Sequence, residues 1–344
     1  MFGSIDQKDS WLKRFCCALP RFSLVWHCLS GVFILCLIIN GILYLQNSSS
    51  PTSYLPGTKI GKPELTDITT DIPTENTIET IINPHNYSYI LNQPGACHAN
   101  TVLIMMVITS MKNVREREAI RNTWGAVGRD NKSNITVLFL VGSGGSEELQ
   151  KQISNESNYY KDIVQESFTD SYRNLSIKSQ AMLKWINSFC LTAKYALKTD
   201  DDMYVNVPNL LISLKKQTLE KFILGYIFVN AHPNQNKKSK WFTPLKDFSE
   251  KTYPRYTSGT AYSMSVKAVP ELYKASLMIK LFWLEDIYIT GLCARRAKIP
   301  QINDWGFHYT KPATTGCAYR NTITGHRNTI QEMYKIHKEL LDPK

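Results

Sequence analysis

Between residues 22 and 45 the chain contains no Asp, Glu, Lys or Arg, and Val, Ile, Leu, Phe and Cys dominate the run. A helix needs about 20 such residues to cross a bilayer core, so the stretch is long enough to span. The missing charge argues against two other readings. A cleaved signal peptide has an apolar region of about 7–15 residues closed by small side chains, whereas this run is longer and ends in Ile-Leu-Tyr-Leu. A buried helix in a soluble core rarely runs so far without charge. Lys13, Arg14 and Arg21 precede the run and the next basic residue is Lys59. The positive-inside bias therefore makes residues 1–21 a cytoplasmic tail and residues 22–45 a single-pass signal-anchor helix, with the rest of the chain in a lumen.

Acid is scarce in the lumenal part. Residues 1–96 hold 6 of the 40 Lys/Arg and 7 of the 29 Asp/Glu, so 97–344 hold 34 and 22, a net charge of +12. Such a balance suits a polyanionic partner: nucleic acid, an acidic membrane surface or a nucleotide diphosphate. A lumenal position removes nucleic acid from that set. Sequons at Asn47, Asn86, Asn131, Asn134, Asn155 and Asn174 all follow the anchor and agree with the secretory pathway. Of eight cysteines, Cys97, Cys190, Cys293 and Cys317 lie beyond it, enough for two disulfides in any of three pairings. Hydrophobic residues make up 43% of the chain, too many for disorder.

Residues 46–96 lack any helical period and are broken by Pro51, Pro56, Pro63, Pro73, Pro84 and Pro94. They read as an extended stem, leaving 97–344 as the folded domain. There, apolar runs at 102–109 (VLIMMVIT) and 136–141 (TVLFLV) have the continuity of buried parallel strands. Helical patterns at 114–124, 147–153 and 175–189 alternate with further strands at 162–165 and 195–198. That order predicts an α/β domain with a mostly parallel sheet flanked by helices, whose ligands sit beyond the carboxyl ends of the strands.

Four constellations carry chemistry. In Lys198-Thr-Asp-Asp-Asp-Met-Tyr-Val-Asn206 three adjacent carboxylates end an apolar strand, where they repel one another unless a cation neutralises them. Mg²⁺ and Mn²⁺ take oxygen ligands of this kind. In an extended segment Asp200 and Asp202 share a direction and Asp201 points elsewhere; a solvated acidic turn is the plainer alternative. In Leu284-Glu-Asp-Ile-Tyr-Ile-Thr-Gly291 two acids sit among apolar neighbours. Desolvation there raises a carboxylate's pKa towards that of a general base, while an N-cap of a helix over 287–295 is compatible with the same residues. Arg117 and Arg121 share a helix face, which fits diphosphate binding or a salt-bridged surface helix with Glu118. Finally, Tyr253-Pro-Arg-Tyr-Thr-Ser-Gly-Thr-Ala-Tyr262 is an aromatic loop of the type on which sugars stack.

Together these segments resemble the β-1,3-glycosyltransferase family, which contains β-1,3-galactosyl- and β-1,3-N-acetylglucosaminyltransferases. The resemblance runs from about Leu103 to Phe307. It includes Arg117-x-x-Ile-Arg-x-Thr-Trp124, Phe139-Leu-Val-Gly142, Asp170-Ser-Tyr-x-Asn-Leu-Ser-x-Lys178, Lys198-Thr-Asp-Asp-Asp202, Tyr253-Pro-x-Tyr-x-Ser-Gly259 and Glu285-Asp-Ile-Tyr-Ile-Thr-Gly291, in that order. It implies the nucleotide-diphospho-sugar fold called GT-A, and transfer from a UDP-sugar donor to a glycan acceptor on glycoprotein or glycolipid with inversion, in the Golgi. It further implies that Asp200 and Asp202 meet Mn²⁺ (or Mg²⁺), that Asp286 is the base with Glu285 in support, and that Arg117, Arg121, Lys178, Asp200 and Asp201 line the donor site. His308 resembles a metal-binding histidine near the end of related domains.

Ile-Thr in the 285–291 motif departs from the Val of many members. Ser258-Gly-Thr-Ala-Tyr262 leans towards galactosyl members, so UDP-galactose is the expected donor, with N-acetylglucosaminyl or N-acetylgalactosaminyl transfer as alternatives. A glycoside hydrolase also uses paired carboxylates but needs no metal triplet. A membrane-anchored lectin, an inactive glycan-binding protein on the same fold, would use the acidic triplet for Ca²⁺ and bind glycan without UDP or any need of Asp286. Asn174, inside a core motif, is expected to cap the helix that follows it and to carry no glycan.

Overall fold

All six residues of Leu103–Ile108 are buried, because this strand lies in mid-sheet with a hydrophobic layer on each face. In the computed structural model, residues 80–130 and 133–342 are described, within a compact unit spanning Ile78–Lys344. The expected anchor at 22–45 and most of the stem lie outside the described residues. No helix among the described residues is long and apolar enough to cross a membrane.

Ten strands form among the described residues: β1 (Tyr89–Leu91), β2 (Leu103–Ile108), β3 (Ile135–Ser143), β4 (Ile163–Thr169), β5 (Tyr195–Asp200), β6 (Tyr204–Val205), β7 (Ile223–Phe228), β8 (Tyr256–Ser265), β9 (Gln301–Asn303) and β10 (Thr324–Gly325). Eight make one sheet in the order β1-β4-β3-β2-β5-β8-β7-β9, and β6 pairs with β10 in a small second sheet. β4, β3, β2 and β5 are mutually parallel, β7 and β9 run with them, and β1 and β8 run against them. The expected mostly parallel α/β sheet is therefore present. The antiparallel β8 carries the aromatic loop motif, and places its Gly259 against the region beyond β5.

The alternation along β2 splits the core in two. Ile104, Met106 and Ile108 face the helix Leu175–Phe189, the helix Val269–Leu277 and the segment that follows Asp286. Leu103, Met105 and Val107 face residues from Val114–Asn122, Val207–Lys215 and Ile330–Leu341. Trp185 is fully buried in the first layer, and truncating a side chain of that size to Ala costs about 3–5 kcal/mol.

The structure moves the domain boundary. Residues 80–96 were expected in the stem, but Ile82 and Asn83 donate backbone hydrogen bonds to Leu277 O, and β1 closes the β4 edge. His85 meets buried Glu166 at 2.6 Å, and Glu166 also binds Lys184 at 2.9 Å. A covered edge removes a row of unpaired backbone groups that would otherwise invite another chain. Cys97 is bonded to Cys190, while Cys293 is a buried free thiol. Cys293 and Cys317 are thus not paired with each other, as a two-bridge reading among the four cysteines beyond residue 96 would allow.

Asn174 is the residue before the helix Leu175–Phe189, but its side chain does not cap it. The amide Nδ2 instead donates to Thr169 O at 2.7 Å, tying the turn back to the end of β4.

Candidate active site

β5 delivers Asp200 at its carboxyl end, next to Ile108, the last residue of β2. From there the chain turns, and the three aspartates separate. Asp201 accepts hydrogen bonds from Thr109 Oγ1 at 2.6 Å and Asn113 Nδ2 at 2.8 Å, so it fastens the turn to the end of β2. Asp200 and Asp202 come together with His326, their ligand atoms all within 4.8 Å of one another. His326 Nε2 stands 3.3 Å from Asp202 Oδ2, and its Nδ1 lies 3.1 Å from Tyr309 O. Burial opposes the charge on His326, but the Asp202 carboxylate outweighs it and raises the pKa. Asp202 Oδ1 is buried and accepts no hydrogen bond, a costly arrangement unless that lone pair has another use. Two carboxylates, one imidazole and an unclaimed carboxylate oxygen fit a divalent cation.

His308 is not a member of this group. It was expected as the metal-binding histidine, yet His326 stands there. His308 donates its backbone N–H to Thr324 O beside β10, and two residues beyond Thr324 the same run supplies His326. No motif in the sequence marked that position, since Gly325-His326 lies far down the chain from the aspartates.

The acids of the second motif are buried against the same region. Glu285 Oε1 accepts from Ser179 Oγ and from the Tyr262 hydroxyl, both at 2.7 Å. Asp286 opens a wide π-helical segment, Ile287–Cys293, and its Oδ1 accepts the Ile287 N–H at 2.8 Å. It therefore stands at the helix start, as an N-cap reading allows, but the segment has the wide turns that often accompany functional sites. Gly259 of β8 makes room for both acids: a Cβ there would sit 3.0 Å from Asp286 Cβ and 3.1 Å from Glu285 Oε2.

Lys198 joins the two halves. Its buried ammonium binds Asp200 Oδ1 at 2.6 Å and Gly259 O, and lies 3.8 Å from Glu285 Oε2. One cation does not neutralise this many acids. Burial raises Asp200 to about 6, with Lys198 pulling the other way. Burial, and then the neighbouring Glu285 charge, push Asp286 up to about 7. A carboxylate poised near neutrality in a desolvated setting is matched to general-base work.

The expected donor-site cations divide. Lys178 lies close to the aspartates but is paired: its Nζ meets Asp170 at 2.6 Å and Thr109 O at 2.7 Å, and burial lowers its pKa. Arg117 is fully buried and spends its guanidinium on both oxygens of Glu156, at 2.8 and 2.6 Å, and on Ser110 O and Met111 O. Arg121 binds Asp162 through two nitrogens, meets Glu156 at 2.7 Å and lies over the Tyr160 ring. Both arginines therefore act as buried clamps, Arg117 from the helix Val114–Asn122 onto Glu147–Tyr160, and Arg121 onto the same helix and onto Asp162 just before β4. Their partners are not Glu118. Arg121 also borders a cavity of about 420 Å³ with Thr136 and Asp162, at the amino ends of β3 and β4 and so away from the aspartates. Tyr253, in the aromatic loop, is buried with its hydroxyl on Thr243, which leaves sugar contact to other rings.

Comparisons with known proteins agree with this chemistry. The galactosyltransferase family profile matches residues 115–304. β-1,3-Galactosyltransferase 1 of Homo sapiens, and likewise of Mus musculus, is 36% identical over 267 residues, covering 76% of this chain and 81% of that protein. Human β-1,3-galactosyltransferase 2 is 33% identical over 267 residues, covering 75% and 63%. Among solved structures, the galactosyltransferase LgtC with donor and acceptor sugar analogues aligns at a TM-score of 0.38 and 12% identity, over 69% of this chain and 96% of that one, too distant to carry a structural argument. With the acids, the lysine and the cation group in one place, and with relatives at this level of identity, the chain belongs to the galactosyltransferase family and is a glycosyltransferase.

Proposed function

We propose that the protein transfers galactose from UDP-galactose in β-1,3 linkage, with inversion, to a hydroxyl of a glycan acceptor carried on glycoprotein or glycolipid. The observation that carries this reading is the buried Glu285–Asp286 pair beside the Asp200–Asp202–His326 group, with Lys198 reaching Asp200 at 2.6 Å and Glu285 at 3.8 Å. The names of the 36% identical relatives favour galactose over the N-acetylhexosamines. Asp286 accepts the proton of the acceptor hydroxyl as its oxygen bonds to the anomeric carbon. The carbon–oxygen bond to the diphosphate breaks, and UDP leaves with the electron pair. One displacement completes the reaction, so no nucleophilic side chain is needed.

Asp200, Asp202 and His326 would hold the cation, and an imidazole among the ligands favours Mn²⁺ over Mg²⁺. Such an ion, when bound, neutralises charge on the leaving diphosphate. Glu285, held by Ser179 and Tyr262, keeps Asp286 in place and raises its pKa. Lys178 and Asp201 support the donor side through Asp170, Thr109 and Asn113. The uncharged run at 22–45 and the lumenal sequons support a Golgi, single-pass type II arrangement.

The test is UDP release by the full chain with a panel of UDP-sugars and Gal- or GlcNAc-terminated acceptors. The expected result is acceptor-dependent release with UDP-galactose and Mn²⁺, abolished by EDTA. Release that persists in EDTA, or occurs only with another sugar nucleotide, overturns the metal or the donor assignment.

A further inference from the structure

Trp305 is 72% exposed, yet the backbone around it is pinned. Asp304 donates its N–H to Gly225 O at 3.0 Å, and its carboxylate accepts from Ser213 and, at 2.8 Å, from the Gly306 N–H. Gly306 O in turn accepts from Ile323 N at 2.8 Å, and a Cβ on Gly306 would collide with the Ile323 side chain. A large indole held out into solvent on a fixed turn is costly for solubility, and contiguous exposed apolar surface of this kind usually marks a binding site.

Trp305 does not stand alone. Its ring lies 5.4 Å from Tyr226, which is 4.6 Å from Tyr309 and 5.2 Å from Phe228. Phe228 is stacked on Tyr256 at 5.3 Å. These five rings form a continuous row over the ends of β7 and β9 and the start of β8. Two members of the row, Tyr309 in its middle and Tyr256 at one end, reach the two halves of the active site. Tyr309 accepts at its carbonyl beside His326. Tyr256 is followed by Thr257, whose N–H donates to Thr290 Oγ1 at 3.0 Å, and the Thr290 hydroxyl donates to Asp286 O.

We propose that this row is the acceptor subsite: the C–H face of a neutral hexopyranose, the terminal sugar of the acceptor glycan, stacks on Trp305 and its neighbours while its hydroxyls reach Asp286. The row carries no ionised side chain, which suits an uncharged sugar and not the diphosphate of the donor. Rigid aromatic rings offer contact area at little cost in ordering. The inference rests on the transferase reading, and the tests separate the two.

In the first test, steady-state kinetics of the full chain with UDP-galactose use methyl β-glycosides of GlcNAc and galactose as acceptors. Trp305→Ala is expected to raise the acceptor KM about tenfold, Trp305→Phe to recover most of the loss, and UDP affinity by calorimetry to stay within about twofold. In the second, the protein carries 5-fluorotryptophan, with the Trp305 fluorine resonance assigned by Trp305→Phe. Adding either glycoside in the presence of UDP and Mn²⁺ is expected to shift that resonance. If neither glycoside moves it and the acceptor KM is unchanged in Trp305→Ala, the subsite is refuted. So it is if the donor KM rises and the acceptor KM does not. If the resonance shifts but no galactose is transferred, the subsite stands and the transferase reading falls.

Discussion

Arg117 and Arg121 meet Glu156 and Asp162 in equal number, whereas Lys198 alone faces Asp200, Glu285 and Asp286. Both clusters are buried and both join elements distant in sequence. They differ in what the surplus does. In the first, every charge is matched, the arginines outweigh burial and hold the Glu156 carboxyl below its usual range, and nothing is left to react. In the second, the acids exceed the cation, and the excess appears as carboxyls raised to about 6 and about 7. A matched cluster buried in a protein secures geometry. An unmatched one stores a demand for a proton or a metal ion, which is what a transfer site uses.

The largest effect that can test this contrast is at Asp286. Asp286→Asn removes the base without changing shape, and turnover should fall by about 10²–10⁴-fold while UDP affinity, read by calorimetry, holds. Turnover within a few-fold of wild type would remove Asp286 from the chemistry. Next comes Arg117→Met, which leaves a buried carboxylate short of its partner. It should cost about 3 kcal/mol in urea unfolding, with unaltered UDP affinity in the protein that stays folded. Weakened UDP binding at full stability would restore Arg117 to the donor site and dissolve the contrast. The smallest effect is in pH. A base is active only when ionised, and Asp286 is raised to about 7. Turnover should therefore fall about tenfold per unit below that point and level off above it. A profile already flat at pH 5 would show Asp286 ionised far lower than its burial requires.

Much of this arrangement was legible in the chain. The apolar runs at 102–109 and 136–141 became β2 and β3 because continuous hydrophobicity means burial on both faces, and the helix at 175–189 appeared with its expected bounds. Asp200 and Asp202 converge and Asp201 points away, though a turn after β5 and the bonds from Thr109 and Asn113 produce this, and not the alternation of an extended segment. What escaped was set by partners remote in sequence. Arg117 and Arg121 looked like anion binders because helical spacing says nothing about Glu156 and Asp162, some forty residues on. His326 escaped because its place depends on β10 pairing with β6, two-residue strands with no periodic signal. Asn174 had the residue type of a cap, but Thr169 O offered its amide a nearer partner. The π-helical segment after Asp286 has no sequence signature beyond an apolar run.

The belt formed by residues 82–91 has a consequence in time. It is synthesised ahead of everything it holds: Ile82 waits for Leu277, and Tyr89 for Glu166. At about 5–20 residues per second, the first wait is about 10–40 s. β4 meets its partner as soon as it is made, because β1 precedes it, whereas the Ile82 end of the belt stays without Leu277 throughout. Cys190 emerges before Leu277, so the bond to Cys97 can form early and keep the start of the domain close to the helix it will cross. The nascent chain thus passes through a stapled but only half-fastened state, and that interval is when a chaperone has most to protect.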